Sequence, residues 1–160
     1  MKAAAIIVIV LCLAAVGGLG WLYLSSNISV SFVSCIATDA VTQADYFNQL
    51  KKQAAENTFT GTLFSPDFPE SPETCQFYTF TVRMENRAFI PAEVIELQVT
   101  PMNGDVLQIG DPEARRLASG RSAEFSATIL TSKDMHNVRE LTVTYYVWGL
   151  PLTAKLTTGR

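Results

Sequence analysis

The sequence predicts a mainly β chain: an N-terminal transmembrane helix, then a β-sandwich with one amphipathic helix inserted. Three observations predict it. Ala3 to Leu24 carries no charged residue and no Asn, Gln or Pro. From Cys75 onward, short stretches alternate apolar with polar residues between turn signals, the pattern of half-buried strands. Between Ala40 and Glu56 the apolar period shifts from that of a strand to that of a helix.

As a helix, Ala3 to Leu24 would extend about 33 Å, against a hydrocarbon core of about 30 Å. Trp21 and Tyr23 close it with aromatics suited to a membrane interface. A cleavable signal has a shorter apolar core, so residues 1–24 read as an uncleaved signal-anchor; clipping near Ser25-Ser26-Asn27 is the alternative. Cys12 does not fit a lipoprotein signal, because Leu11 stands where a small residue is needed. Lys2 precedes the span, and the next basic residue is Lys51. Positive charge stays inside, which expects a single-pass topology with the N-terminus cytoplasmic and the remainder extracytoplasmic. Residues 25–27 would be a short tether, and residues 28–160 the extracytoplasmic domain.

The chain holds 12 Lys+Arg against 15 Asp+Glu, a formal charge of −3, which argues against nucleic acid as a partner because phosphate binding needs a basic surface. The bilayer is the expected partner, together with a protein in the membrane or envelope. Beyond the span stand two cysteines, Cys35 and Cys75. An even pair in an exported domain favours a disulfide, which would stabilise the fold by about 4 kcal/mol in the chain-entropy model. Two buried free thiols are the alternative.

In chain order, Ile28 to Ala37 alternates, with Ile28, Val30, Phe32 and Ile36 on one side. Thr38 or Asp39 can then cap a helix over about 40–56, whose apolar face is Ala40, Ala44, Phe47, Leu50 and Ala54. Thr58 to Phe64 reads as a short strand. Three triplets follow, Pro66-Asp67-Phe68, Pro69-Glu70-Ser71 and Pro72-Glu73-Thr74. In polyproline II their acids would line one edge; a solvated, edge-protecting loop is the plainer reading. Further strands are expected from Cys75 to Met84, Ile95 to Val99, Val106 to Ile109, Ala123 to Ile129, Leu141 to Trp148 and Leu152 to Thr157. Met102-Asn103-Gly104-Asp105 is a turn between two of them, since Asn-Gly accepts positive φ at low cost. The stretch from Asp111 to Gly120 reads as a loop. About eight strands with frequent turns make a sandwich.

No constellation points to catalysis. The chain's one histidine, His136, lies in a polar connection, and no nucleophile-elbow, zinc-spaced, EF-hand or phosphate-loop pattern accompanies it. No catalytic residue, metal ligand or cofactor site is therefore expected. Glu93 and Glu96 read as solvated strand residues. Tyr145-Tyr146-Val147-Trp148 is the densest aromatic run of the domain. Tyr146 and Trp148 share one face, a candidate binding surface if exposed, able to stack on a sugar or an apolar partner. The balance favours core, because the terminal strands must supply much of the packing.

Three stretches carry a family resemblance: Phe80 to Leu97 (FTVRMENRAFIPAEVIEL), Leu117 to Ile129 (LASGRSAEFSATI) and Leu141 to Val147 (LTVTYYV). In them a strand runs into Asn86, and Gly120 precedes another strand. This resembles membrane-anchored immunoglobulin-like sandwiches of the late-embryogenesis-abundant-like kind. The resemblance covers about half the chain, departs from the group where Arg121 separates Gly120 from Ser122, and implies an immunoglobulin-like fold without an activity. The expectation is a membrane-anchored extracytoplasmic module for protein interaction or envelope organisation. The alternative is a glycan- or lipid-binding module of the envelope, resting on Tyr146 and Trp148.

Overall fold

The computed structural model describes residues 2–24, 27–110, 115–134 and 138–158. Helix α1 spans Lys2–Leu24, 23 residues, and is apolar all round. Its described side chains, those of 6–21, stand exposed, with Leu13 and Val16 among them. Among the described residues no helix is long and apolar enough to cross a membrane.

Two antiparallel sheets follow. The first joins β1 (Ile28–Asp39), β3 (Cys75–Asn86), β7 (Arg121–Ser132), β5 (Asp105–Ile109) and β2 (Gly61–Leu63), in that spatial order. The second joins β6 (Arg115–Leu117), β4 (Ala92–Val99), β8 (Glu140–Val147) and β9 (Leu150–Thr157). Strict alternation builds the core between them. Phe80, Val82 and Met84 of β3 and Phe125, Ala127 and Ile129 of β7 meet Ile95 and Leu97 of β4 and Leu141, Val143 and Tyr145 of β8. Buried Gln108 ties the sheets together: Nε2 donates to Leu97 O (2.8 Å) and Oε1 accepts from Val99 N (2.8 Å).

The helical insertion makes a second, smaller core. A 3-10 turn, Ala40–Gln43, leads into α2, Ala44–Ala55. Ala40, Phe47 and Leu50 are buried against Cys75, Phe77, Val106, Leu107 and Leu130. Phe77 alternates with Tyr78 and Phe80, so α2 covers the outer face of the first sheet at the Cys75 end of β3. The expected cap is absent. Asp39 makes no side-chain cap bond; its carboxylate pairs with Lys133 Nζ at 2.6 Å, and Thr42 Oγ1 donates to Asp39 O instead.

Two bulges change expected faces. Between Phe32 and Ser34 the β1–β3 register shifts. Cys35 therefore packs on the core, while Ile36, expected beside Phe32, is 58 % exposed. In β4 a second shift, around Val94 at φ 49°, leaves Val94 52 % exposed, and Glu93 and Glu96 are both exposed, as expected of solvated strand residues. The proline triplets do not form one extended edge, because Pro72–Thr74 is a 3-10 turn capped by Ser71 Oγ; Phe68 packs edge-on to Phe47 at 5.3 Å. Part of the stretch read as loop is strand β6. Trp148, expected to end a strand, instead forms a two-residue turn with Gly149, since Leu150 already pairs with Val147.

The Cys35–Cys75 disulfide is not formed. Both thiols are free. Cys35 lies opposite Phe80 of β3, whereas Cys75 begins that strand. The offset along the strand is about 16 Å, and a disulfide needs Cα atoms within about 7 Å.

Candidate functional site

The end of the sandwich nearest α1 is built around Asn86, the last residue of β3, which is fully buried. Its Nδ2 donates to Ile90 O (2.8 Å) and Leu117 O (3.1 Å), and its Oδ1 accepts from Ala88 N (3.0 Å). Ser119 Oγ donates to Ala88 O at 2.6 Å, and Gly120 N donates to Asn86 O at 2.8 Å. One amide thus fastens the β3–β4 loop to the β6–β7 turn. Held this way, the loop projects Phe89, 63 % exposed.

Beside it stands the β8–β9 hairpin tip. The pairing of Glu93 with Tyr146 sets the end of β8 against the start of β4, where the Phe89 loop enters. Trp148 (φ 56°) and Gly149 (φ 74°) form the two-residue turn, both left-handed as the favoured hairpin turn requires. Glycine accepts this freely, whereas a tryptophan there costs about 1–2 kcal/mol. Trp148 is nonetheless at this position, 63 % exposed, followed by Leu150 at 58 %. Tyr146 is exposed on the outer face of β8, flanked by Glu93 and Pro151 in the register. The expectation that both aromatics are core is therefore overturned. Leu141, Val143, Tyr145 and Val147 occupy the inner face, and α2 lies on the other sheet.

Elsewhere among the described residues no polar group converges on a ligand. A cavity of about 310 Å³ opens between the sheets beside Val94, Glu96, Gln108 and Phe125. Gln108 is committed to the β4 backbone, and Glu96 accepts from Gln98 at 2.8 Å, so nothing converges on a ligand there. Glu93 pairs with Arg116 at 3.5 Å. Among the described residues no three His, Cys, Asp or Glu side chains could hold a metal ion. Burial raises the Cys35 thiol above its ordinary pKa, against a smaller lowering by the Arg139 charge, and burial likewise raises the Tyr46 hydroxyl. His136 lies outside the described residues.

Sequence reasoning missed Phe89 and Leu150 as surface residues. Each stands close before a proline, Phe89 two residues before Pro91 and Leu150 directly before Pro151, which is the signal that could have found them. It also missed the buried ion pair at the opposite end, Arg139 Nη2 to Asp105 Oδ1 at 3.0 Å.

No family model matches the chain, and no curated protein does. Among solved structures, a FixG-related protein from Vibrio parahaemolyticus is similar at 12% identity over 83% of this chain and 94% of that one, with a TM-score of 0.37. A protein described as a lipoprotein from Bacillus subtilis is similar at 17% identity over 61% of this chain and 34% of its own, with a TM-score of 0.36. Likenesses at this level assign neither fold family nor function.

Proposed function

We propose that the chain is a single-pass, membrane-anchored module whose sandwich stands outside the cytoplasm and serves protein interaction or envelope organisation. The observation that carries this reading is α1, a continuous 23-residue helix, apolar on every side, leading through Ser25, Ser26 and Asn27 into a folded domain. An isolated helix that is apolar all round needs either a protein core or a bilayer to cover it. The described side chains of α1 remain exposed, so the bilayer is the cover proposed. Lys2, at the start of the helix, supports an N-terminus on the cytoplasmic side.

Strand order supports an immunoglobulin-like sandwich. Without the short edge strands β2 and β6, the remaining seven strands in chain order fall into an A-B-E-D sheet and a C-F-G sheet. Asn86 and Gly120, on which the family resemblance rests, meet in one hydrogen-bonded corner. Protease treatment of sealed, inside-in cells is the test. The sandwich is digested or shaved from outside while the pellet retains α1 after alkaline carbonate extraction. Release of the intact chain by carbonate sinks the anchor, and protection of the sandwich in sealed cells sinks the orientation.

A glycan- or lipid-binding reading draws on the exposure of Tyr146 and Trp148. Titration of the full chain with envelope polysaccharide, read by Trp emission, decides the glycan form; an unchanged spectrum removes it.

A further inference from the structure

We propose that the Phe89 loop and the Trp148–Leu150 hairpin tip are a foot by which the sandwich rests on the bilayer that α1 enters, inserting Phe89, Trp148 and Leu150 among the lipid headgroups. This rests on the anchor reading and adds to it a fixed contact and orientation of the domain.

Four observations converge. First, the three side chains are among the most exposed large apolar residues of the sandwich, and they come from two separate loops at one end. Second, this is the end at which the chain leaves α1. Ile28 pairs with Asn86, and Asn27 O accepts from Arg87 N at 2.9 Å, in the loop that carries Phe89. Only Ser25, Ser26 and Asn27 separate Leu24 from Ile28. Even fully extended, that link reaches only about 14 Å, so a membrane-embedded α1 brings these loops to headgroup depth. Third, the Trp21 ring, near the end of α1, lies 5.7 Å from the Phe89 ring. Trp21 and Phe89 then share one level, as interfacial aromatics do. Fourth, Trp148 occupies a left-handed turn position that Asn or Gly would fill without strain. A strained aromatic held at an exposed tip, with its Nε1–H free to face the polar layer, fits an interface between apolar and wet surroundings.

Of the basic residues at this end, Arg87 pairs with Glu85 at 3.0 Å and Arg116 with Glu93 at 3.5 Å, which leaves Arg121, opposite Asn86, too little charge to drive the contact. Apolar insertion carries the contact, and a bilayer of zwitterionic phosphatidylcholine suffices as the partner.

The chain's two tryptophans, Trp21 and Trp148, make the test direct. The full chain is reconstituted into phosphatidylcholine vesicles whose acyl chains are brominated near the headgroup. In Trp21→Phe, Trp148 alone reports on the foot; in Trp148→Phe, Trp21 alone reports on the anchor. The expected result is quenched, blue-shifted emission from both, with the Trp148 quenching unchanged by high salt and reduced by the further change Phe89→Ser. Phe89 is exposed, so that change leaves the core intact. Quenching of Trp21 without Trp148 overturns the foot and leaves the anchor standing. Quenching of neither overturns the anchor reading, and quenching of Trp148 alone replaces both with peripheral binding. Trp148 emission that shifts with protein concentration but is not quenched shows a second copy at the tip, which also overturns the foot.

Discussion

At the end of the sandwich where α2 packs, a helix buries Phe47 and Leu50 against the sheet and a charge pair is sealed inside, with Val41, Met102 and Val138 left exposed around them. At the other end, the backbone is fastened as firmly, yet the large apolar groups face outward. The covered end holds Arg139 and Asp105 with side chains 1% and 0% exposed. Asp105 also accepts from Met102 N at 2.7 Å, and Arg139 N donates to Thr158 Oγ1 at 2.7 Å. The open end uses one amide, Asn86, to hold two loops whose tips are Phe89 and, beside them, Trp148. The difference teaches that exposure at the open end is not looseness. The same quality of hydrogen bonding that closes one end presents aromatics at the other.

The largest effect should come from breaking the covered end. Arg139→Leu leaves the Asp105 carboxylate buried without its cation, which costs about 3–5 kcal/mol. Arg139 Nε has no hydrogen-bond partner among the described residues, so the pair is not ideally satisfied, and replacing both partners should cost far less than replacing either. Denaturant unfolding of Arg139→Leu and of Arg139→Leu with Asp105→Leu checks this; equal losses would mean the ion pair is not what closes that end.

Next comes Asn86→Ala. It removes three hydrogen bonds and leaves Ala88 N–H, itself buried, without its acceptor, for a loss of about 2–3 kcal/mol. Because the Phe89 loop hangs on this amide, amide exchange should rise at Ala88, Phe89 and Ile90 before it rises in the strands. Uniform acceleration across both sheets would show that Asn86 supports the whole sandwich rather than that corner.

Trp148→Asn moves stability the other way. Asparagine relieves the left-handed turn, so the folded state should gain about 1 kcal/mol while lipid contact at the tip weakens. Opposite signs in unfolding and in vesicle docking are the expected result. A variant that loses both would mean Trp148 packs to hold the turn rather than to meet a surface.

Most of the sheet core was legible because its strands alternate without interruption: Tyr78 to Met84, Ala123 to Ile129 and Leu141 to Val147 all bury the face their period implies. The helix face Ala40, Phe47 and Leu50 was legible for the same reason. Period reasoning failed where one residue is inserted. The bulge after Phe32 turns Ile36 outward and Cys35 inward, and no side-chain type in Ser-Phe-Val-Ser announces it. The candidate surface was half legible. Tyr146 and Trp148 were singled out, but whether β8 is covered on its outer face depends on which sheet α2 chooses, a long-range choice that local pattern does not encode. Arg139 and Asp105 are distant in sequence and meet only through the fold, as do Cys35 and Cys75, which the register keeps apart.

The smallest expected effect concerns pH and the β1 bulge. Turned inward by that bulge, the Cys35 thiol has its pKa raised from 9.0, burial outweighing the Arg139 charge. The unfolded chain therefore releases this proton first as pH rises, so the folded state binds more protons and loses stability as pH climbs from about 9 toward the folded value. Below pH 9 the group contributes no slope. Tyr46, raised from 10.0 by burial, adds a loss in the same direction at still higher pH. Cys35→Ala should remove the earlier part of this alkaline decline and leave the Tyr46 part, read as unfolding midpoints between neutral and alkaline pH. Because Cys35 is only partly buried, the effect should be slight; its absence altogether would mean that the thiol is solvated and that β1 does not turn inward after Phe32.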